Sequence, residues 1–93
     1  MPDVIDNAAR SRFEIDVEGT VAFATYTMAG DTLVLQHTEV PDALSGRGVG
    51  SALARGVLDG ARRRGLRVLP RCEFMAAYIE RHPEYGDLLA PAG

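Results

Sequence analysis

The glycine-rich run Ser45-Gly46-Arg47-Gly48-Val49-Gly50-Ser51 is the strongest chemical feature of this chain. Glycines let a backbone come close to a ligand, and the free amides that open a helix point at whatever stands before it. A phosphate or pyrophosphate there would satisfy those amides and the positive end of the helix dipole together. Two common phosphate loops are excluded. No Lys-Ser or Lys-Thr follows, as a Walker loop requires, and glycines at 46, 48 and 50 lack the Gly-x-Gly-x-x-Gly spacing of a dinucleotide fingerprint. The plainer alternative is a glycine loop that serves only as a helix entry. The charged Arg47 in its middle argues against that.

Other residues could move protons. His37 and Glu39 are two apart on a strand pattern, which places both on one face. An imidazole titrates near neutrality and is the better base by chemistry. A hydrogen-bonded sheet histidine fits the same position equally well. Cys72 falls between a strand end and a helix start, where amide dipoles can lower a thiol pKa. A lone cysteine is also a small buried hydrophobe. Tyr78 shares an apolar stripe with Phe74, as a packing residue would.

The elements that must hold these groups follow from periodicity. Residues 1–11 are polar and predicted loose, apart from Val4 and Ile5. Phe13, Ile15 and Val17 alternate with acids, the pattern of a half-buried strand, and Glu18-Gly19 marks a tight turn. Residues 20–28 are rich in β-branched and aromatic types, and Gly30-Asp31 is the next turn. A third strand over 33–40 ends at Pro41, which cannot donate a ladder hydrogen bond. From Ser45 a helical period takes over through Val49, Leu53, Val57 and Ala61. Gly56 and Gly60 lie beside that stripe, each costing about 1 kcal/mol against alanine, which predicts close packing, with a sheet as the natural surface. Gly65 suits the helix stop, and Arg62, Arg63 and Arg64 suit the negative end of the dipole. A short strand over 66–69 ends at Pro70, and a second helix over 73–81 stops at His82-Pro83. Strand–helix–strand around the long helix predicts a parallel, right-handed crossover. The fold class is α/β: an antiparallel meander, then helix–strand–helix, in one domain over 1–93.

Composition bounds the partners. The chain has 93 residues, ten arginines, no lysine, one cysteine and two histidines. This excludes lysine Schiff-base chemistry and an internal disulfide, and no metal site is expected. No apolar run approaches the roughly 18 residues that span a bilayer, and no signal peptide opens the chain, so no membrane partner is expected and a cytoplasmic location is predicted. The net charge of −3 conceals an acidic first half and eight arginines between Arg47 and Arg81. That basic segment suits an anionic ligand, or a solvated helix face around the arginine triplet. Nucleic acid is not the expected partner, because the aromatics do not interleave with the arginines. A free strand edge would leave room for a homodimer.

The glycine loop resembles the signature of the GNAT superfamily of acyl-CoA-dependent N-acetyltransferases, Gln/Arg-x-x-Gly-x-Gly/Ala. Gly48 and Gly50 take the glycine positions, and Ser45 stands where Gln or Arg is usual. A closer similarity is to a subgroup of unusually small members. It runs through Arg12-Phe13-Glu14, His37-Thr38-Glu39-Val40-Pro41, the glycine loop, Pro70-Arg71-Cys72-Glu73-Phe74 and Tyr78-Ile79-x-x-His82-Pro83-Glu84-Tyr85. The resemblance implies a compact GNAT-like mixed sheet and acetyl-CoA as cosubstrate. The pantetheine arm would lie in a gap beside the third strand, bonded by the backbone of Thr38 and Val40. The amides of Arg47, Gly48, Val49, Gly50 and Ser51 would hold the pyrophosphate. It further implies transfer of the acetyl group to an amine acceptor, with His37 or Glu39 as base and Tyr78 as acid for the departing thiolate. Cysteine at position 72 is usual in the small subgroup, which raises an acyl-enzyme route beside direct attack. A coenzyme-binding module with little catalysis is the competing reading.

Overall fold

Phe13, Ile15 and Val17 point inward and their acidic neighbours outward, so the first long strand folds as its alternation requires. The computed structural model describes residues 1–91. Its elements are strands β1 (Ile5–Asn7), β2 (Arg12–Val17), β3 (Thr20–Ala29) and β4 (Thr32–Glu39), helix α1 (Val49–Arg63), strand β5 (Arg67–Pro70) and helix α2 (Glu73–Arg81). The sheet order is β1-β2-β3-β4-β5, antiparallel throughout except for the parallel β4–β5 pair. That pair flanks the α1 crossover, as predicted.

The hairpin turns follow from two backbone conformations. Glu18 and Gly19 both have positive φ, 54° and 89°, the pattern of a type I′ turn, and Gly19 N donates to Asp16 Oδ1 at 2.8 Å. Gly30 opens the β3–β4 turn with φ 63°.

One face of the sheet carries the core. Ile15, Ala22, Ala24, Leu33, Leu35 and Val68 are fully buried against Leu53, Ala54, Val57 and Leu58 of α1 and Met75 and Tyr78 of α2. Among the described residues no helix covers the other face.

Three expectations need correction. The first concerns the amino-terminal residues, predicted loose. Ile5, Asp6 and Asn7 pair with Glu14, Phe13 and Arg12. Asp6 accepts a hydrogen bond from Tyr26 Oη at 2.6 Å, and Asn7 Nδ2 donates to Glu14 at 3.1 Å. The polar residues that suggested looseness are the ones that tie the segment down. The second concerns the start of the long helix. It begins at Val49 rather than Ser45, because Gly46 and Gly48 sit at φ 76° and 75° and hold the loop out of helical geometry. The third concerns the helix glycines. A Cβ at Gly56 would lie 2.3 Å from Val4 Cγ2, and one at Gly50 would lie 2.8 Å from the Phe74 ring. Gly56 therefore receives the amino-terminal segment, not the sheet. A Cβ at Gly60 would meet only Arg63, at 3.6 Å.

After α2, residues Pro83–Leu88 form a 3-10 helix that returns Tyr85 and Leu88 to the core. Leu89 then makes a parallel bridge to Val68 on the outer side of β5.

Candidate functional site

The site originates in a strand irregularity. Thr25 pairs with His37 while Tyr26 pairs with Leu35, so Gln36 is an extra residue, a β-bulge in β4. A bulge bends its strand and increases the local twist. Pairing with β5 ends at Leu35–Pro70, and the last bond on that side runs from Arg71 N to Leu35 O at 2.9 Å. Beyond it, the end of β4 has no strand partner toward β5. The amides of Arg67 and Arg71 bond to β4, so the nitrogen of Pro70 between them faces away from β4 and its missing hydrogen costs that ladder nothing.

The resulting gap opens into a cavity of about 460 Å³. Thr38, Glu39 and Val40 form one wall, Leu44 and Phe74 an apolar patch, and Ser45, Gly46, Gly48, Val49, Gly50 and Ser51 the rest. The first helical bond of α1 runs from Ala52 N to Gly48 O at 3.0 Å. The amides of Val49, Gly50 and Ser51 come before it and have no helical acceptor, and the cap residue Gly48 offers no side chain. A Cβ at Gly46 or Gly48 would meet nothing within 4 Å, so the loop presents bare backbone to open space. Free amides, a helix dipole and positive-φ glycines together make a concavity for an anion. Because β4 alternates its side chains, Thr38 and Val40 face the helices. Thr38 Oγ1 lies 3.3 Å from Cys72 Sγ, across the gap. The residues present fit a long cosubstrate with an anionic end at α1.

His37 and Glu39 share the uncovered face, as their spacing predicts, with His37 Nε2 3.1 Å from Glu39 Oε1. Both side chains are more than half exposed. Glu39 lines the cavity and His37 stands behind it. Thr25 and Phe23 are their cross-strand partners.

Arg47, Cys72 and Tyr78 are less central. The Arg47 guanidinium is not in the cavity wall; it donates to Glu18 Oε1 at 3.0 Å. Cys72 caps α2 in extended conformation, half-buried and outside the wall, though it touches Thr38. Tyr78 is 1% exposed and also outside the wall. Its ring stacks on His82 at 3.9 Å and 15°, and His82 Nδ1 donates back to the Tyr78 carbonyl at 2.8 Å. That pair closes the carboxyl end of α2, with the Tyr78 ring packed in the core. Phe74 and Leu44 were missed as site residues. Only the packing of α2 against Gly50 brings Phe74 to the cavity, and no local pattern encodes that contact.

The fold is thus a mixed sheet that opens between β4 and β5, with the unpaired amides of a helix start at the opening. The sequence model of the GCN5-related N-acetyl-transferase family matches residues 12–88. Protein NATD1 of Mus musculus is 34% identical over 87 residues, 88% of this chain and 79% of its own length. Protein NATD1 of Homo sapiens is equally similar, with 77% of its length covered. A solution structure from Staphylococcus aureus described as GCN5-like superposes with a TM-score of 0.74 at 26% identity, covering 98% of this chain and 90% of that one. This chain belongs to the GCN5-related N-acetyltransferase family. No helix among the described residues is long and apolar enough to cross a membrane.

Proposed function

We propose that this protein is an acetyl-CoA-dependent N-acetyltransferase that moves an acetyl group to an amine by direct attack. The observation that carries this reading is the continuity of one cavity from the free amides of Val49, Gly50 and Ser51 to the unpaired strand end at Thr38, Glu39 and Val40. The amides hold the pyrophosphate, and the backbone of Thr38 and Val40 aligns the pantetheine arm. When bound, the cosubstrate supplies an activated thioester. Glu39 stands at the boundary between cavity and open face, so it accepts the proton of the incoming amine. His37, hydrogen-bonded to Glu39, orients that carboxylate. No protein acid is needed for the leaving group, since a thiol of pKa near about 8.5 departs readily as thiolate. This leaves Tyr78 in the core and Cys72 as a neighbour of Thr38.

The test is calorimetric titration with acetyl-CoA, followed by mass spectrometry of small amines, polyamines and peptides. Absence of binding at saturating acetyl-CoA sinks the reading. Glu39→Gln is expected to lower turnover by about 10²–10⁴-fold, and Cys72→Ala to retain it. Loss of turnover in Cys72→Ala would instead establish an acyl-enzyme route. A coenzyme-binding module with little catalysis is the second reading, favoured by the solvent exposure of both His37 and Glu39. Binding without acetylation of any amine in the panel would select it.

A further inference from the structure

Arg47 is flanked by two glycines of left-handed backbone, Gly46 and Gly48, and both lie in open space. The segment that carries it is therefore compliant. Its guanidinium is engaged 29 positions away in sequence, 3.0 Å from Glu18 Oε1, with half of the arginine side chain and 79% of the glutamate exposed. Glu18 has the more constrained backbone. It sits at φ 54° in the β2–β3 turn, and that turn is locked by the bond from Gly19 N to Asp16. The cavity wall contains no cationic side chain, and its one charged residue is the acid Glu39. An anion seated on the α1 amides would therefore find the guanidinium of its own loop held outside the cavity by Glu18.

We infer that Glu18 is a specificity-determining residue that competes with bound phosphate for Arg47. Arg47 leaves Glu18 when a polyanionic ligand occupies the helix start, and Glu18 thereby weakens binding of the ligands that draw on Arg47. The ligand class favoured is one with enough phosphate charge to draw the guanidinium away, which a singly charged carboxylate would not do. This inference rests on the proposed coenzyme site and adds to it a residue outside the glycine signature.

The exposure of both partners keeps the competition small. An exposed ion pair contributes between roughly 0 and 1 kcal/mol, so removing the competitor should tighten an anion by at most about fivefold. The experiment is calorimetric titration of wild type, Glu18→Gln, Arg47→Gln and the double variant, each with coenzyme A and with phosphate-free pantetheine. Glutamine keeps the size of Glu18 and tolerates the turn. The expected result is a two- to fivefold tighter coenzyme A for Glu18→Gln, unchanged pantetheine affinity, weaker coenzyme A for Arg47→Gln, and no gain from Glu18→Gln in the Arg47→Gln background. The double variant is the decisive arm. If Glu18→Gln tightens coenzyme A equally without Arg47, the effect is general removal of negative charge and the inference is overturned. Unchanged or weaker coenzyme A in the single variant overturns it too, while leaving the coenzyme site standing. No coenzyme A binding by any of the four proteins overturns the site reading and this inference together.

Discussion

Two glycines one helical turn apart in α1 should respond to alanine in opposite directions. At Gly60 a new Cβ would have only Arg63 Nη2 near it, at 3.6 Å, an ordinary contact. Gly60→Ala should therefore gain the helix-propensity difference, about 0.5–1 kcal/mol. For a domain of this size, a gain of 1 kcal/mol raises Tm by about 4–8 °C. At Gly56 the same methyl would lie 2.3 Å from Val4 Cγ2 and 2.6 Å from Val4 Cβ. Because Cβ is fixed to the backbone, a rotamer change cannot relieve the overlap, so the segment leading into β1 must lift. Lifting it exposes the half-buried Val4, worth about 1 kcal/mol or more, and strains the three β1–β2 pairs. Set against the propensity gain, Gly56→Ala should be net destabilising by about 1 kcal/mol. Thermal unfolding followed by circular dichroism measures both variants. Val4→Gly in the Gly56→Ala background removes the opposing side chain and should recover part of the loss, which gives a favourable coupling in the double-mutant cycle. A Gly56→Ala protein that melts as high as Gly60→Ala would refute the docking of Val4 on the helix.

Two further predictions concern pH. The paired hydrogen bonds from Arg62 hold the Asp87 carboxyl below its usual value, and the hydrogen bond from Arg12 does the same for Glu14. Stability drawn from depressed carboxyls is present above their unfolded pKa values, near 3.8 and 4.5, and is lost as pH falls through the lower folded values. Tm of the wild type should therefore drop below about pH 4.5, with a shallower slope in Asp87→Asn. At the alkaline end, burial and then the hydrogen bond to Asp59 push the Tyr85 hydroxyl up to about 12, while burial and Asp6 do the same for Tyr26. Their contribution is complete below pH 10 and disappears as pH rises through 12. Spectrophotometric titration should show Tyr26 and Tyr85 ionising near 12, and Tyr85→Phe should remove one of the two high steps.

The parts of this fold legible in the sequence are those encoded locally. Period-two alternation located β2, the Glu18-Gly19 pair located its turn, and the stripe Val49, Leu53, Val57, Ala61 located the buried face of α1. The glycine run located the loop before α1, because φ near +75° is a conformation that glycine adopts at no steric cost. What stayed hidden depends on contacts between distant segments. β1 is three residues long and is held by side-chain bonds to Glu14 and Tyr26, which no window of neighbours contains. The bulge at Gln36 does not appear as a break in residue type, yet it supports the gap that makes the site. Tyr78 and Phe74 sit one turn apart on the same apolar helix. Only the placement of α1 and of His82 decides that Phe74 meets the cavity while Tyr78 enters the core.

The uneven charge of the chain resolves differently from a simple phosphate cradle. Arg62 grips Asp87 at 2.8 and 2.9 Å and also donates to the Glu84 carbonyl. Arg67 donates to the Asp87 carbonyl at 3.0 Å, and Arg64 meets Asp6 at 3.5 Å. Two arginines of the basic segment, Arg62 and Arg64, are thus spent on acids outside it, at the end of α1 remote from the glycine loop. Being exposed, each such pair contributes little stability and serves mainly to fix where the 3-10 turn and the amino-terminal segment lie. The proposed anion seat is built of neutral backbone donors, whose attraction does not rise with each added surface arginine. Screening by salt acts on charged side chains more than on amides at contact distance. If the seat depends on amides and on one mobile guanidinium, coenzyme affinity should fall only gently with ionic strength, and most of that slope should vanish in Arg47→Gln.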